Sequence, residues 1–199
     1  MPNPYPLLYR LGITPWEDAA DDGPIPELID RLPPGRALDA GCGTGRLAVH
    51  LAERGWEVTG VDGVEKPLAQ ARERAAAAGV ADRVGFVRGD VTRLDRVLGD
   101  GVMGETGFDL VTDLGCLHGL THAQQRDFGT WVGDHTNPGA HLVVLAVMPR
   151  KGLGPRGLDE TGLSMVFASP WSLVSASDSS TAGGGPLRGA TFRWYVLTR

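Results

Sequence analysis

The order of elements along the chain predicts an α/β fold built on a mostly parallel β-sheet with an antiparallel hairpin at its C-terminal end. Two observations predict it. Short apolar strands alternate with helical periodicity up to residue 147, which is typical of parallel strands joined by crossover helices. Two further strands, at 171–176 and 192–197, then follow each other without a helix of comparable length between them. We therefore expect seven strands, of which the last two form a hairpin at a sheet edge.

Helix and turn signals bound the individual elements. Apolar residues at helical spacing predict helices at 24–32, 47–55, 64–78, 123–135 and 160–168. Short apolar runs predict the parallel strands at 37–40, 58–62, 84–87, 141–147 and from 108 onwards. Glycine, proline and asparagine mark the connections, with a turn at 137–139 and loops at 149–158 and 177–190.

Length, charge and cysteine content limit the number of domains, the kind of binding partner and the location that we expect for the chain. A chain of 199 residues is a natural size for one domain, which we divide into an N-terminal segment, 1–23, and a core, 24–199. The net charge of −5 disfavours a nucleic-acid-binding surface. No apolar run approaches the ~20 residues that span a bilayer. Two cysteines are too few for a disulfide framework and no signal peptide is evident, so we expect a cytoplasmic location. Nothing in the sequence indicates an oligomeric state.

The segment from Asp39 to Gly45 is the strongest candidate for a binding site. Three alternate glycines, Gly41, Gly43 and Gly45, directly follow the first strand and precede a helix. Glycines let a ligand approach the backbone closely, and a helix N-terminus presents unpaired N–H groups to it. In a dinucleotide-binding G-x-G-x-x-G fingerprint, the third glycine would fall at Arg46. The pattern here is D-x-G-x-G-x-G instead.

This pattern closely resembles the first motif of class I S-adenosylmethionine-dependent methyltransferases. The stretch 108–120 is similar to the fourth-strand motif of the same family. The resemblance implies a Rossmann-like, seven-stranded methyltransferase sheet with S-adenosylmethionine as the cofactor. It also implies an enzyme that transfers a methyl group to an O, N or S atom.

The resemblance and the strand order together predict the cofactor contacts. Asp62 ends the second strand 21 residues after Gly41, the offset at which a carboxylate binds ribose hydroxyls in nucleotide-binding α/β folds. Asp90 follows the third strand, where the family places an acidic residue on the adenine amino group, although a helix N-cap explains Asp90 as well. The full predicted set is Trp16, Asp39, Gly41, Gly43, Gly45, Asp62, Gly63, Asp90, Val91, Asp113 and Leu114.

The methyl acceptor is expected near the end of the fourth strand, because that strand neighbours the first in this fold. Candidate general bases are His118, His122 and Asp113, in that order, since the pKa of histidine lies near neutrality. A histidine that merely lines or caps the next helix explains the pattern equally well. The spacing of Cys116 to these histidines invites a metal site, but only one carboxylate lies nearby, and we predict no metal.

Two features favour a small, aromatic or lipophilic acceptor. The chain lacks the Asn/Asp-Pro-Pro-aromatic motif that many nucleic-acid and protein amide-nitrogen methyltransferases carry after the fourth strand. Thr14, Pro15 and Trp16 are similar to a segment before the core of thiol and halide methyltransferases and to runs in bacterial quinone-type methyltransferases. The segment 1–23 is therefore either a lid over the site or a stretch packed on the domain surface.

Other classes of protein remain possible at this point. An NAD-dependent oxidoreductase shares the strand, glycine and Asp62 arrangement, but Arg46 and the position of Asp39 disfavour it. A non-catalytic S-adenosylmethionine-binding protein would carry the same motif. A methyltransferase fold used for a different reaction would carry it as well.

Overall fold

The computed structural model describes residues 23–99, 106–150, 155–180, 187 and 189–199. Within these ranges the helices are α1 (Ile25–Arg31), α2 (Arg46–Glu53), α3 (Glu65–Ala77), α4 (Leu94–Val97), α5 (His122–Asp134) and α6 (Glu160–Val166). The strands are β1 (Arg36–Ala40), β2 (Glu57–Asp62), β3 (Val84–Arg88), β4 (Phe108–Leu114), β5 (Thr136–Val147), β6 (Ser172–Asp178) and β7 (Phe192–Thr198). Short 3₁₀ turns occur at Val91–Arg93 and Leu117–Gly119.

The seven strands form one sheet in the order β3-β2-β1-β4-β5-β7-β6. The first five strands pair in parallel, and β7 runs antiparallel to both β5 and β6. The predicted mostly parallel sheet with an antiparallel C-terminal hairpin is thereby confirmed. The chain moves outward from β1 to β3 and then returns to β4 on the other side of β1. Ligands bind at the carboxyl ends of the strands where the order reverses in this way.

Both faces of the central strands β1, β4 and β5 are largely buried, which explains why these strands are mostly apolar. In β5, Val143, Leu145 and Val147 belong to the cluster that packs under α1 and α2. The intervening residues belong to the cluster under α5 and α6. This two-sided packing fixes the strand ends, and with them the loops that form the site.

The predicted turn at 137–139 is wrong, because these residues lie within β5. The pairing register with β4 shifts between Phe108 and Leu110 to accommodate the extra residues. The Asn137 side chain takes over the ladder bonds there, accepting from the Gly107 N–H and donating to the Gly107 carbonyl, each at 3.1 Å. The turn signals of asparagine, proline and glycine mark an irregularity inside the strand rather than its start.

Candidate functional site

A row of acidic side chains lies along the carboxyl edge of four adjacent strands. Asp90 follows β3, Asp62 ends β2, Asp39 lies in β1 and Asp113 lies in β4. The register pairs Asp39 with Thr112 and places Asp113 opposite the last residue of β1. Asp39, Asp62 and Asp113 are buried, whereas Asp90 is exposed. The structure therefore brings together the residues that the sequence predicted around the glycine turn.

The glycine turn is anchored to β2 through its backbone. The N–H groups of Gly41 and Cys42 both donate to the Val61 carbonyl, at 2.7 and 3.1 Å. Gly41, Gly43 and Gly45 all have positive φ angles, which favour glycine. The turn thus has one defined backbone conformation.

Two of the glycines are also required by packing within the protein. A Cβ on Gly45 would lie 2.7 Å from the Cβ of Ala71 in α3, so this glycine permits close contact between α2 and α3. A Cβ on Gly41 would overlap the Cys116 Sγ atom. The side of Gly41 that has no side chain is therefore in contact with the β4 loop.

The Asp62 carboxylate holds the glycine turn and the residue after β2 by accepting hydrogen bonds from their backbone. Its Oδ2 accepts the Gly43 N–H at 3.1 Å, and its Oδ1 accepts the Val64 N–H at 2.8 Å. The contact of Asp62 with a ribose stays a prediction, and the structure shows that Asp62 also fixes the turn that would carry the cofactor.

Asp39 is a buried carboxyl group whose hydrogen-bond partner is Thr112. The Thr112 hydroxyl donates to Asp39 Oδ1 at 2.9 Å. Burial raises the pKa of Asp39 to about 7, and the negative charges of Asp113 and Asp62 add to the effect against the opposing Thr112 bond. A cation bound beside this group would favour its ionised form.

Asp113 holds the loop that follows β4. Its Oδ1 accepts the backbone N–H groups of Gly115, Cys116 and Leu117 at 3.1 to 3.2 Å, and Leu117 also donates to Oδ2. Burial raises the pKa of Asp113 to about 6, although these backbone bonds favour the charged form. This carboxylate is engaged by the loop, and its roles as a base and as a cofactor contact stay predictions.

The two candidate histidines lie in different environments. His118 is only 3% exposed, and its Nδ1 accepts the Val147 N–H at 3.3 Å. Burial lowers the pKa of His118 to about 4, which makes it a weak base at neutral pH. His122 is exposed in the first turn of α5, and its Nδ1 lies 3.2 Å from Gln125 Oε1.

The remaining predicted cofactor contacts flank the row of carboxylates. Asp90 caps the turn at Val91–Arg93, where its Oδ1 accepts from the Thr92 N–H and hydroxyl at 2.9 and 2.8 Å. The N-cap explanation of Asp90 is thus confirmed, and its contact with adenine stays a prediction, as does that of Val91. Gly63 lies beside the Gly89 carbonyl. Leu114, at the end of β4, is half-buried, and Trp16 lies outside the described residues.

Sequence reasoning missed Thr112, and it considered Cys116 only as a metal ligand and not as a packing partner of the glycine turn. Thr112 is the polar residue of β4 that faces Asp39 in the adjacent strand, and a polar pair in two apolar neighbouring strands was the signal that could have revealed it. The contact of Cys116 with Gly41 depends on the path of the loop after β4, for which the sequence carried no signal.

Two further observations concern other kinds of site. Among the residues that the structure describes, no three His, Cys, Asp or Glu side chains are grouped so that they could hold a metal ion. In the same ranges, no helix has both the length and the apolar composition needed to cross a membrane.

Replacing Gly41 by alanine is expected to destabilise the protein by about 2–4 kcal/mol, because the new Cβ overlaps Cys116 and the backbone is strained at positive φ. The control is Gly79→Ala, which has a similar φ angle but no atom within 4 Å of the new Cβ. It should cost only about 1 kcal/mol. Chemical denaturation of both variants measures the difference.

The double variant Gly41→Ala with Cys116→Ala tests the cause of this effect. Removing the Sγ atom relieves the overlap. The double variant should therefore regain most of the stability that Gly41→Ala loses in excess of the loss in the Gly79→Ala control. Equal stability of the single and double variants would show that the Cys116 contact does not explain the glycine.

The fold and the site together define a class I S-adenosylmethionine-dependent methyltransferase. The sheet reverses its order between β1 and β4, a glycine turn follows β1, and carboxylates lie at the adjoining strand ends. The profile of the methyltransferase domain family matches residues 37–139, more than half of the chain. The chain therefore belongs to the methyltransferase domain family, and its cofactor is S-adenosylmethionine.

Three of the curated relatives are named as methyltransferases. The 2-heptyl-1-hydroxyquinolin-4(1H)-one methyltransferase of Mycobacteroides abscessus is 27% identical over 186 residues, which cover 85% of this chain and 78% of that protein. A Geobacillus sp. (strain WCH70) protein named as a methyltransferase is 44% identical over 77 residues, 39% of this chain and 27% of its own length. The 23S rRNA (uracil(1939)-C(5))-methyltransferase RlmD of Shewanella sediminis is 39% identical over 77 residues, 37% of this chain and 17% of that protein. The chain thus spans less than a third of two of these relatives.

Solved structures share the fold. A structure solved for the conversion of a disulfide bond into a thioacetal group during echinomycin biosynthesis is similar with a TM-score of 0.74 and 26% identity, over 100% of this chain and 93% of that one. Burkholderia thailandensis 1,6-didemethyltoxoflavin-N1-methyltransferase, with 1,6-didemethyltoxoflavin and S-adenosylhomocysteine bound, is similar with a TM-score of 0.68 and 23% identity. That likeness covers 93% of this chain and 78% of the other.

Proposed function

We propose that this chain transfers the methyl group of S-adenosylmethionine to an O, N or S atom of a small aromatic or lipophilic molecule. The observation that carries the proposal is the buried row of Asp39, Asp62 and Asp113 around the glycine turn. These carboxylates complement the sulfonium and ammonium groups of S-adenosylmethionine. Asp62 is common to both classes, but Asp39 and Asp113 would repel a pyrophosphate placed at the same turn, which disfavours the NAD-dependent alternative.

The protein needs to contribute little covalent chemistry to the reaction. S-adenosylmethionine supplies an activated methyl group: an electron pair of the acceptor atom forms the new bond to the methyl carbon, and the carbon–sulfur bond breaks with its pair remaining on sulfur. The residues at the edge of the sheet orient the two molecules in line and exclude water. An oxygen or sulfur acceptor must lose its proton before or during this step, whereas a neutral amine loses its proton afterwards.

The state of the candidate bases favours an acceptor that ionises easily. The Asp113 carboxylate is engaged by three backbone N–H groups, and the buried His118 is a weak base. A phenol, a thiol or an N-hydroxy heterocycle loses its proton without a strong base. Such acceptors therefore suit this site better than an aliphatic alcohol.

Charge and loop sequence support a small molecule over a nucleic acid. The chain has a net charge of −5, and Asp113 is followed by Leu114, Gly115 and Cys116 rather than by a Pro-Pro-aromatic sequence. Two of the similar proteins are named for heteroaromatic small molecules, 2-heptyl-1-hydroxyquinolin-4(1H)-one and 1,6-didemethyltoxoflavin. An RNA acceptor, as in the name of the 23S rRNA methyltransferase, is the competing outcome of the test.

Methyl transfer from labelled S-adenosylmethionine to a panel of acceptors tests the proposal. The panel contains 2-heptyl-1-hydroxyquinolin-4(1H)-one, thiophenol, a catechol, an aliphatic amine, iodide and an RNA hairpin, and Asp62→Ala protein serves as the control for contaminating activity. We expect transfer to one or more of the aromatic acceptors and none to RNA. Transfer to RNA alone, or binding of S-adenosylmethionine with no transfer to any panel member, would contradict the proposed acceptor class.

A further inference from the structure

The loop that follows β5 lies beside the carboxyl end of β4, where the methyl acceptor is expected. The structure describes both ends of this loop, 148–150 and 155–158. The Gly157 N–H donates to the His118 carbonyl at 3.1 Å, and the Leu158 N–H donates to the carbonyl of the last residue of β5 at 2.8 Å. The returning end of the loop is therefore joined by its backbone to the turn after β4 and to the end of β5.

The two ends of the loop are held against each other. Gly157 has a φ angle of +80°, and a Cβ on it would overlap the backbone of Pro149. The Tyr195 hydroxyl donates to the Leu158 carbonyl at 3.2 Å and lies 3.4 Å from the Met148 Sδ atom. Contacts with the sheet thus determine where both ends of the loop lie.

These contacts place two arginines near each other. Arg150 directly follows Pro149 and Arg156 directly precedes Gly157, so their α-carbons are at most about 12 Å apart. Both side chains are exposed. Two positive charges at this separation attract an anion more strongly than either charge alone. Because a guanidinium group binds a carboxylate through two parallel hydrogen bonds, a carboxylate suits this pair.

The acidic residues that follow the loop are engaged elsewhere. The Asp159 carboxylate caps α6 by accepting a backbone N–H at 2.8 Å, and Glu160 forms an ion pair with Arg193 at 3.3 Å. Among the residues that the structure describes, neither Arg150 nor Arg156 has an ion-pair partner. Within that part of the chain, no carboxylate neutralises their charge.

The site is therefore polarised along the carboxyl edge of the sheet. The buried carboxylates Asp39, Asp62 and Asp113 lie at or next to the ends of β1, β2 and β4, where they match a cationic cofactor. Arg150 and Arg156 lie beyond them, after β5. The carboxylates repel an anionic substituent of the acceptor and the arginines attract it. This field orients the acceptor with its anionic group towards β5 and its other end towards the cofactor.

We propose that Arg150 and Arg156 bind a carboxylate group of the methyl acceptor, so that the substrate is an aromatic acid. The inference rests on the proposed function and narrows its substrate class. The carboxylate accepts hydrogen bonds from the guanidinium groups, and the nucleophilic atom at the other end of the molecule faces the methyl group. The two arginines determine specificity by binding and orienting the substrate, and they take no part in bond formation.

Binding of 4-mercaptobenzoate and of its neutral isostere 4-mercaptobenzamide tests the proposal without requiring methyl transfer. Ligand-observed NMR titration of the protein with S-adenosylhomocysteine bound, at pH 8, gives both dissociation constants. We expect the carboxylate to bind about 4- to 25-fold more tightly than the amide at low salt, and the difference to shrink at about 0.5 M salt. Equal affinity for the two compounds, or no binding of the carboxylate, would overturn the proposal.

Variants that remove one charge identify the arginines responsible. Arg150→Gln and Arg156→Gln should each weaken the binding of 4-mercaptobenzoate about 2- to 5-fold, the effect of one exposed ion pair, and leave the binding of 4-mercaptobenzamide unchanged. The double variant should bind both compounds with similar affinity. All three variants should keep the melting temperature and the S-adenosylhomocysteine affinity of the unmodified protein.

The matched control is Arg83→Gln, which removes the same charge from an exposed residue directly before β3, at the opposite edge of the sheet. It should bind both compounds like the unmodified protein. An equal loss of 4-mercaptobenzoate binding in the control, or no loss in the double variant, would show that Arg150 and Arg156 are only solvated surface charges.

The same two compounds, used as acceptors in the methyl-transfer assay, separate this inference from the proposed function. A higher kcat/KM for the carboxylate that disappears in the double variant supports both. Transfer to both thiols with equal kcat/KM contradicts the inference and leaves the proposed function in place. Absence of transfer to every acceptor tested contradicts the proposed function, while the binding measurements still decide whether the arginines hold a carboxylate.

Discussion

Asp39→Asn is expected to stabilise the ligand-free protein at pH 8 while weakening the binding of S-adenosylhomocysteine. Burial raises the pKa of Asp39 from 3.8 to about 7, so its ionisation above pH 7 costs up to about 4 kcal/mol of unfolding free energy. Asparagine keeps an oxygen that accepts the Thr112 hydroxyl, but it has no charge to bury. The same substitution removes a negative charge that complements the ammonium group of S-adenosylhomocysteine.

The pH dependence of the unfolding free energy shows why Asp39→Asn is expected to stabilise the protein at pH 8. Because the folded-state pKa lies above the unfolded value, the contribution of Asp39 to stability is full below pH 3.8 and is lost as the pH rises through about 7. Asp113, whose pKa is about 6, acts in the same direction and remains in the variant. The unfolding free energy of Asp39→Asn should therefore fall less between pH 4 and 8 than that of the unmodified protein.

Urea unfolding across this pH range measures the prediction, with Asp127→Asn as the control because Asp127 is exposed on α5. The control should follow the unmodified protein at every pH. An Asp39→Asn protein that is less stable than the unmodified protein at pH 8 would show that the charged carboxylate contributes favourably in the absence of ligand, contrary to its burial.

Asp62→Ala is expected to weaken S-adenosylhomocysteine binding by about 1.5–3 kcal/mol, the cost of losing charge-assisted hydrogen bonds. The Gly43 and Val64 N–H groups also lose their acceptor, so part of the loss comes from a looser glycine turn. Isothermal titration calorimetry gives the affinity. Asp82→Ala, an exposed aspartate in the turn before β3, is the control and should bind like the unmodified protein.

A 2′,3′-dideoxy analogue of S-adenosylhomocysteine distinguishes the two roles of Asp62. If the carboxylate binds the ribose hydroxyls, the analogue should bind the unmodified protein weakly, and the Asp62→Ala substitution should then cost much less. If the substitution weakens the analogue and S-adenosylhomocysteine equally, Asp62 acts only by holding the turn.

The parts of the fold that the sequence predicts well are those governed by local pattern. Strict alternation of apolar strands and amphipathic helices predicted the parallel sheet, and the absence of a long helix between the last two strands predicted the hairpin. The glycine turn was predicted because the φ angles of Gly41, Gly43 and Gly45 are ones that glycine adopts readily. The single-domain organisation and the lid of residues 1–23 stay predictions.

The parts of the fold and the site that the sequence predicts poorly depend on contacts between segments that are distant in the chain. The interior of β5 carries turn residues because the Asn137 side chain replaces backbone bonds to Gly107, which lies 30 residues away in the sequence. The weak basicity of His118 follows from its burial against Val147, which the histidine spacing alone does not reveal. In the same way, the packing of Cys116 on Gly41 depends on a loop whose path is set by the Asp113 carboxylate.

The most direct test of a cofactor site at the carboxyl edge of β1, β2 and β4 is the melting temperature with S-adenosylhomocysteine or with NAD. A ligand at 100 times its dissociation constant adds about 2.7 kcal/mol to the unfolding free energy. We predict that S-adenosylhomocysteine raises the melting temperature of the unmodified protein, raises that of Asp62→Ala much less at the same concentration, and that NAD changes neither. A rise with NAD and none with S-adenosylhomocysteine would contradict the cofactor assignment at this site.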